Sequence, residues 1–405
     1  LAIRAMLTWS NFRVSFGAGV LCLLSAGAGG VAAQTVKVGM VVGVSGPGAD
    51  IGESMVRGAD LYLALHGKDL PSGVKVELIK RDDGSNPDRT KRLAQELVVR
   101  DKVKLLTGVT LSPQALTIAP VSTEAKVPTL IMNATTGSLT RSSPYFVRFS
   151  YANWQMAYTM GAWAAKNNIK SAYTLVADYA AGHDMEAGFK RGFEDNGGSI
   201  VGSDRTPMGT TDYLPAMARI KAASPKSLFV FTLSGAPSIA TMKAFRDSGL
   251  QAAGVQLLST AQNVSDQQLP QTGPASLGMI NSAVYIATDS RPSAKAFLAA
   301  YQTAYGQAAY PDLPAVAAWN SMEAVFGIVK KHGANFTSDQ AMEVLKNWKS
   351  PDTPAGPIAI DPATRDIIHE VSIAKIEKKG DKFENVAFDV VKDVKDPWKQ
   401  ANPEK

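Results

Sequence analysis

From residue 36 onward the chain repeats one rhythm. A short apolar run is followed by a small-residue loop and then by apolar positions at helical spacing. VKVGMVVGV (36–44) predicts a buried strand. In the next segment Ile51, Met55, Ala59, Tyr62, Leu63 and His66 predict a helix. VKVELIKRDD (74–83) is a second strand, running into the turn-forming DDGSNP. Residues 87–101 form a polar-faced helix and VKLLTG (103–108) a third strand. SPQALTIAPVSTEAK (112–126) is a helix, followed by a fourth strand, VPTLIMN (127–133). Strands that are apolar on both faces and alternate with helices predict an α/β fold with parallel sheets covered on both sides.

The pattern breaks near FVRFSYANWQ (146–155) and then restarts. Strands are predicted at SAYTLVAD (171–178), SIVGSDRTP, SLFVFTLS (227–234) and VQLLST (255–260). The helices between them include DYLPAMARIKAASP, with Asp212 as its N-cap, and 237–249. GMINSAVYI (278–286) reads as a crossover, 293–306 and 315–332 as helices, and the remainder as a small closing meander. The two halves share architecture without sharing letters.

The first 33 residues differ from everything after them. Arg4 and Arg13 supply a basic start, no acid precedes Asp50, Val14 to Ala28 is apolar and small, and Val31-Ala32-Ala33 is a small-residue cleavage site. This is the pattern of an export signal cleaved near Ala33, giving a periplasmic protein. The 372 residues that remain exceed one ordinary core and predict two lobes. The only cysteine, Cys22, lies inside the signal, so the mature chain has no thiol. The formal charge of +6 falls to +4 without the two signal arginines. These charges are interspersed, and no basic run suits a phosphate backbone, so nucleic acid is not an expected partner.

Enzyme motifs are missing where they would be needed. The glycines after the first strand do not fit G-x-G-x-x-G/A, because Ile51 stands where the third small residue belongs. There is no G-x-x-x-x-G-K-[ST] and no G-x-S-x-G at a strand end. His66, His183, His332 and His369 lack metal-ligand spacing. Asp82 and Asp83 are adjacent, so their carboxylates point apart, and a solvated turn is expected there. No catalysis, cofactor or metal is expected.

Three stretches in order carry a family resemblance: VVGVSGPGADIGESMVRGADL, IKRDDGSNPDRTKRLAQELVVRDKVKLLTGVTLSPQ, and VADYAAGHDMEAGFKRGFEDNGG followed by GTTDYLPAMARIKAASP. The chain resembles the branched-chain amino-acid-type (type I) periplasmic binding proteins of ABC importers. That implies two doubly wound parallel-sheet lobes joined by three crossover hinges. The expected division places 36–152 and 283–355 in lobe 1, and 153–282 and 356–400 in lobe 2. It also implies ligand capture between the lobes, a monomeric binding protein, and an inner-membrane permease partner with its own ATPase. A ligand-sensing module for a signalling partner is the alternative.

Ligands of open α/β sheets sit beyond the carboxyl ends of strands, where helix N-termini favour anions. Ser112, before Pro113, suits an N-cap, and its hydroxyl can accept from an amide while donating to a ligand oxygen. In the resembled family the matching serine holds the ligand carboxylate. The positions of Asn133 and Thr135 also contact ligand there, and Thr136 and Ser138 suit a turn leaving the strand. Ser45, in SGPG, either lines the cleft or serves a tight turn. The family's second-lobe tyrosine is replaced here by Ala181, with Tyr179 two residues earlier. Tyr151 and Trp154 at the crossover suit either a ligand ring or hinge packing.

The family's partners for an amino-acid ammonium, an acid and a tyrosine, fall near Thr260 and Gly235, where neither occurs. A buried ammonium without a partner is costly. A carboxylate without an amino group is therefore expected, and an aromatic acid is favoured.

Overall fold

Alternating apolar strands and amphipathic helices build two sheets in the computed structural model, which describes residues 34–403. The export signal and Cys22 lie outside the described residues. Every neighbouring pair in the first sheet is parallel. Its strands are β1 (Gln34–Val42), β2 (Val74–Asp82), β3 (Leu105–Gly108), β4 (Thr129–Ile131) and β5 (Phe146–Arg148), in the order β2-β1-β3-β4-β5. Helices α1 (Ala49–His66), α2 (Pro87–Val99) and α3 (Ser112–Glu124) connect them. Val36, Val38, Met40, Val41 and Val42 of β1 are all buried, as a strand covered on both faces requires.

The chain then crosses to a second lobe through α4 (Asn153–Lys166). Five more parallel strands follow: β6 (Ser171–Ala177), β7 (Ser199–Thr206), β8 (Ser227–Phe231), β9 (Gln256–Thr260) and β10 (Ile280–Ala283). Their order, β7-β6-β8-β9-β10, repeats that of the first sheet. Helices α5 (Ala180–Glu194), α6 (Leu214–Ala223), α7 (Ala236–Asp247) and the short α8 (Leu269–Thr272) lie between them. Tyr213, not Asp212, takes the N-cap position of α6. The Asp212 carboxylate sits one residue earlier and accepts the Leu214 N–H at 3.2 Å.

After β10 the chain returns to the first lobe as α9 (Pro292–Tyr305), α10 (Leu313–His332) and α11 (Ser338–Lys346). Helix α10 lies against α1 so closely that a Cβ on Gly58 would fall 2.1 Å from the Ala315 carbonyl oxygen. The third crossing leads to β11 (Lys349–Thr353), which is already paired in the second sheet, ahead of the boundary expected at 355. Strands β12 (Gly356–Ile360), β13 (Ile367–Lys379) and β14 (Lys382–Val394) complete the closing meander. It is not a separate unit, because β13 pairs antiparallel with β10 and extends the second sheet to nine strands. Helix α12 (Pro397–Ala401) follows. Among the described residues, no helix is long and apolar enough to cross a membrane.

Both sheets reverse their winding between two central strands, β1 and β3 in one and β6 and β8 in the other. Ligands of doubly wound sheets bind outside the carboxyl ends at that reversal. The strand order therefore directs attention to the loops after β1, β3 and β4, and after β6, β8 and β9.

Candidate functional site

The loop after β3 begins with strain. Gly108 has φ +97° and Val109 φ +66°, a conformation that costs a β-branched residue about 1–3 kcal/mol. Two hydrogen bonds hold Val109 there: its N–H donates to Val41 O at 2.8 Å and its carbonyl accepts from Ala134 N at 3.2 Å. The strained turn thus ties the ends of β1, β3 and β4 together and presents Thr110, Leu111 and Ser112.

Ser112 does not cap its helix. Leu111 is the N-cap of α3, and the buried Ser112 Oγ accepts from the Thr136 N–H at 3.3 Å, across the cleft-side loops. An oxygen used as an acceptor keeps its own proton free to donate. Asn133 is also turned away from the expected role. Its amide donates to Thr110 O at 2.6 Å, fastening the loop after β4 to the loop after β3. Thr135 is buried and its carbonyl accepts from Asn153 N at 2.8 Å. The buried Thr136 hydroxyl has no partner among the described residues. Ser112, Asn133 and Thr135 therefore stand in one cluster.

Ser45 stands apart. It is exposed, donates to Asp82 Oδ2 at 2.7 Å, and serves the turn. Asp82 also accepts from Val44 and Gly84 amides. These donors, with Arg89 nearby, outweigh partial burial and hold its carboxyl below the ordinary range. Asp83 corrects the expectation of a solvated turn. It is fully buried, accepting from the Thr90 hydroxyl at 2.6 Å and Ser85 N at 2.8 Å, and burial pushes its carboxyl up.

A second candidate region draws on both lobes and the crossovers. A small cavity is lined by Ile51 and Pro311–Pro314 from the first lobe. Facing them are Tyr151, Met156, Ser234, Thr260, Gln262, Asp266, Val284 and Tyr285. Of the expected residues, Tyr151 and Thr260 line it directly. Tyr151 donates its hydroxyl to Gln262 Oε1. Burial raises that phenol well above its ordinary range. The hydroxyls of Thr260 and Tyr285 are buried without a partner among the described residues. Gly235 lines a neighbouring pocket with Asp50 and Asp312. Its φ of +83° and ψ of −137° suit only glycine, and a Cβ there would lie 2.3 Å from Asp50 Oδ2.

Tyr179 is buried at the head of α5, with its ring parallel to Phe231 at 6.5 Å. Ala181 is buried and its carbonyl accepts from Asn153 Nδ2 at 2.8 Å. Trp154 packs over Gly188 between α4 and α5.

Sequence reasoning found no acid at the Thr260 position, and none is there, yet two acids line the cavity. Asp266 accepts from Ala287 N at 2.7 Å and Asn385 Nδ2 at 3.1 Å, and burial pushes its carboxyl up. Asp312 caps α10 through Ala315 N at 3.2 Å and accepts from the Ser54 hydroxyl. Burial pushes it up to about 6, against Arg57, which lowers it. The sequence Asp312-Leu313-Pro314 is a legible cap signature; its place in the cleft is not legible. No signal marked Asp266, Gln262 or Tyr285.

Comparison with known proteins fits this architecture. The family model described as periplasmic binding protein matches residues 35–381. A Brucella melitensis protein named Leu/Ile/Val-binding protein homolog 6 is 33% identical over 364 residues, covering 89% of this chain and 92% of that one. Among solved structures, an ABC-transporter solute-binding protein from Rhodopseudomonas palustris BisB5, in complex with 3,4-dihydroxybenzoic acid, is 38% identical. It matches with a TM-score of 0.86 over 90% of this chain and 99% of that chain. One from Rhodopseudomonas palustris HaA2, in complex with p-hydroxybenzoic acid, is 36% identical with a TM-score of 0.86, covering 89% of this chain and 98% of its own.

Proposed function

We propose, from the premise that this chain belongs to the periplasmic binding protein family of ABC transporters, that it captures a small aromatic carboxylate between its lobes. The ligand carboxylate meets Ser112 and the loop Asn133–Thr136, and the ring lies toward Tyr151, Met156, Val284 and Tyr285. The observation that carries the reading is the Ser112 hydroxyl. It accepts from Thr136 N and so keeps its proton for an anion at the head of α3. The unpartnered Thr136 hydroxyl beside it supports the same use.

The two cavity acids do not restore an amino-acid site. Each already accepts from protein donors, and burial favours the neutral form of both. Relatives solved with hydroxybenzoates, at 36–38% identity, support an aromatic acid in place of leucine. Closure is a population shift, because a ligand bridging both regions stabilises the closed state. The protein acts as a monomer in the periplasm and delivers its ligand to a membrane permease whose ATPase supplies the energy.

Thermal unfolding of residues 34–405 with benzoate, 4-hydroxybenzoate, 3,4-dihydroxybenzoate and leucine tests this. A ligand at a hundredfold excess over its Kd adds about 2.7 kcal/mol. A shift with the aromatic acids is expected; a shift with leucine alone overturns the reading. Ser112→Ala is expected to weaken binding of the aromatic acid about tenfold or more while costing about 1 kcal/mol or less of stability. Equal losses in both would make Ser112 a packing residue.

A further inference from the structure

Five consecutive carbonyls of the ligand-contacting loop are all held by donors. Asn133 O accepts from Ser150 Oγ at 3.0 Å, Ala134 O from Arg148 Nη1 at 3.5 Å, and Thr135 O from Asn153 N at 2.8 Å. Thr136 O accepts from Arg148 Nη1 at 2.7 Å and Gly137 O from Lys399 Nζ at 3.0 Å. In a planar trans peptide the carbonyl and the following N–H point in opposite directions. Fixing these oxygens therefore aims the amides the other way. Thr136 N–H goes to Ser112, Gly137 N–H goes to Asp184 of α5, and Thr135 N–H has no acceptor among the described residues.

The two cations belong to a buried cluster that crosses between the lobes. Arg148 is fully buried, and its Nε and Nη2 pair with Asp366 Oδ1 at 2.8 and 2.7 Å. Lys399, from the last helix, pairs with Asp366 Oδ2 and lies 3.4 Å from Asp396. Trp398 closes over the loop, since a Cβ on Gly137 would fall 2.7 Å from Trp398 Cγ. A buried charge cluster is weak evidence for stability, because the desolvation of its members offsets their attraction. What this cluster does have is a directed output: donors on backbone oxygens of the loop that meets the ligand.

We propose that Lys399, acting with Arg148 and Asp366, is a positioning residue for the ligand loop. Lys399 then sets the direction of the Ser138 amide through Gly137 O and, through Asp366, holds the Arg148 guanidinium that sets the Thr135 and Gly137 amides, without touching ligand. The inference rests on the loop meeting the ligand carboxylate, as proposed above.

The test measures two things in the same proteins, Lys399→Met and the charge-balanced Lys399→Met/Asp396→Asn. One is 4-hydroxybenzoate affinity by calorimetry; the other is amide hydrogen exchange without ligand. A tenfold or greater loss of affinity is expected, with faster exchange in 133–137 and unchanged exchange in β6 and β8. Unchanged loop exchange in the charge-balanced variant would overturn the proposal. So would acceleration spread equally through the second lobe, which marks a merely structural role. If the unsubstituted protein binds none of the aromatic acids, the ligand reading fails and loop exchange alone decides the role of Lys399.

Discussion

Two regions of the molecule are built by different means. The loops after β3 and β4 are made of backbone: a strained Val109, one serine, and a stretch whose carbonyls are held from Asn133 to Gly137. The cavity is made of side chains on crossovers and strand ends, with hydroxyls at Thr260 and Tyr285 unpartnered among the described residues. On the proposed function, the loops anchor the group every ligand of the class shares, the carboxylate, and the exchangeable side chains of the cavity meet what distinguishes one ligand from another. The contrast then assigns anchoring and selectivity to different regions, and each can be attacked alone.

The largest effect is expected at Arg148. Arg148→Met removes the cation from Asp366 Oδ1 and leaves the buried carboxylate with Lys399 alone, and breaking a buried pair costs up to about 3–5 kcal/mol. Denaturant unfolding should show that loss; a loss below about 1 kcal/mol would mean the first region does not depend on its buried charges.

Asp312 comes next and reads out through pH. Its carboxyl is raised by burial to about 6 in the folded protein. Its contribution is therefore fully present below the unfolded value near 4 and is lost as pH rises through 6. Asp312→Asn keeps a capping side chain and removes the titration. The variant should be the more stable protein at pH 7, by at most about 3 kcal/mol. The difference should shrink toward pH 4. An advantage that grows on acidification contradicts the sign.

Gly235→Ala forces a side chain into a backbone conformation reserved for glycine, at about 1–3 kcal/mol. Thermal unfolding measures it. No change would mean that the second region tolerates backbone adjustment where the first does not.

The smallest stability effect and the sharpest functional one belong to Tyr285→Phe. Removing an unpartnered hydroxyl should change stability by about 0.5 kcal/mol or less. The affinity ratio of 4-hydroxybenzoate to benzoate should nevertheless move several-fold. Movement of the same ratio by Ser112→Ala and not by Tyr285→Phe would reverse the assignment of the two regions.

Much of this was legible beforehand, residue by residue. Val36 to Val42 reads as a strand buried on both faces and is one. Ser112 lies at the head of a helix in the sequence pattern and in the fold, but its expected capping bond is replaced by one to Thr136, which is distant in sequence. Asn133 was expected at a ligand-contacting position, and its side-chain amide goes to Thr110 O instead. Asp83 looked like half of a solvated pair, and Thr90 draws it inside. Asp266 carried no local signal, because its partners Ala287 and Asn385 lie far along the chain.

Periodicity and turn chemistry alone determined the alternating elements, the restart after residue 150 and the strand ends where a ligand would be met, since these depend on neighbours within one turn or strand. Tertiary structure alone decided which hydroxyls stay free, which acids reach the cavity and that the last helix reaches the 133–137 loop. Those outcomes depend on hydrogen-bond partners distant in sequence, such as Ser112 with Thr136 (24 residues apart) and Lys399 with Gly137 (262 apart), and only folding brings such groups within 3 Å or so of each other.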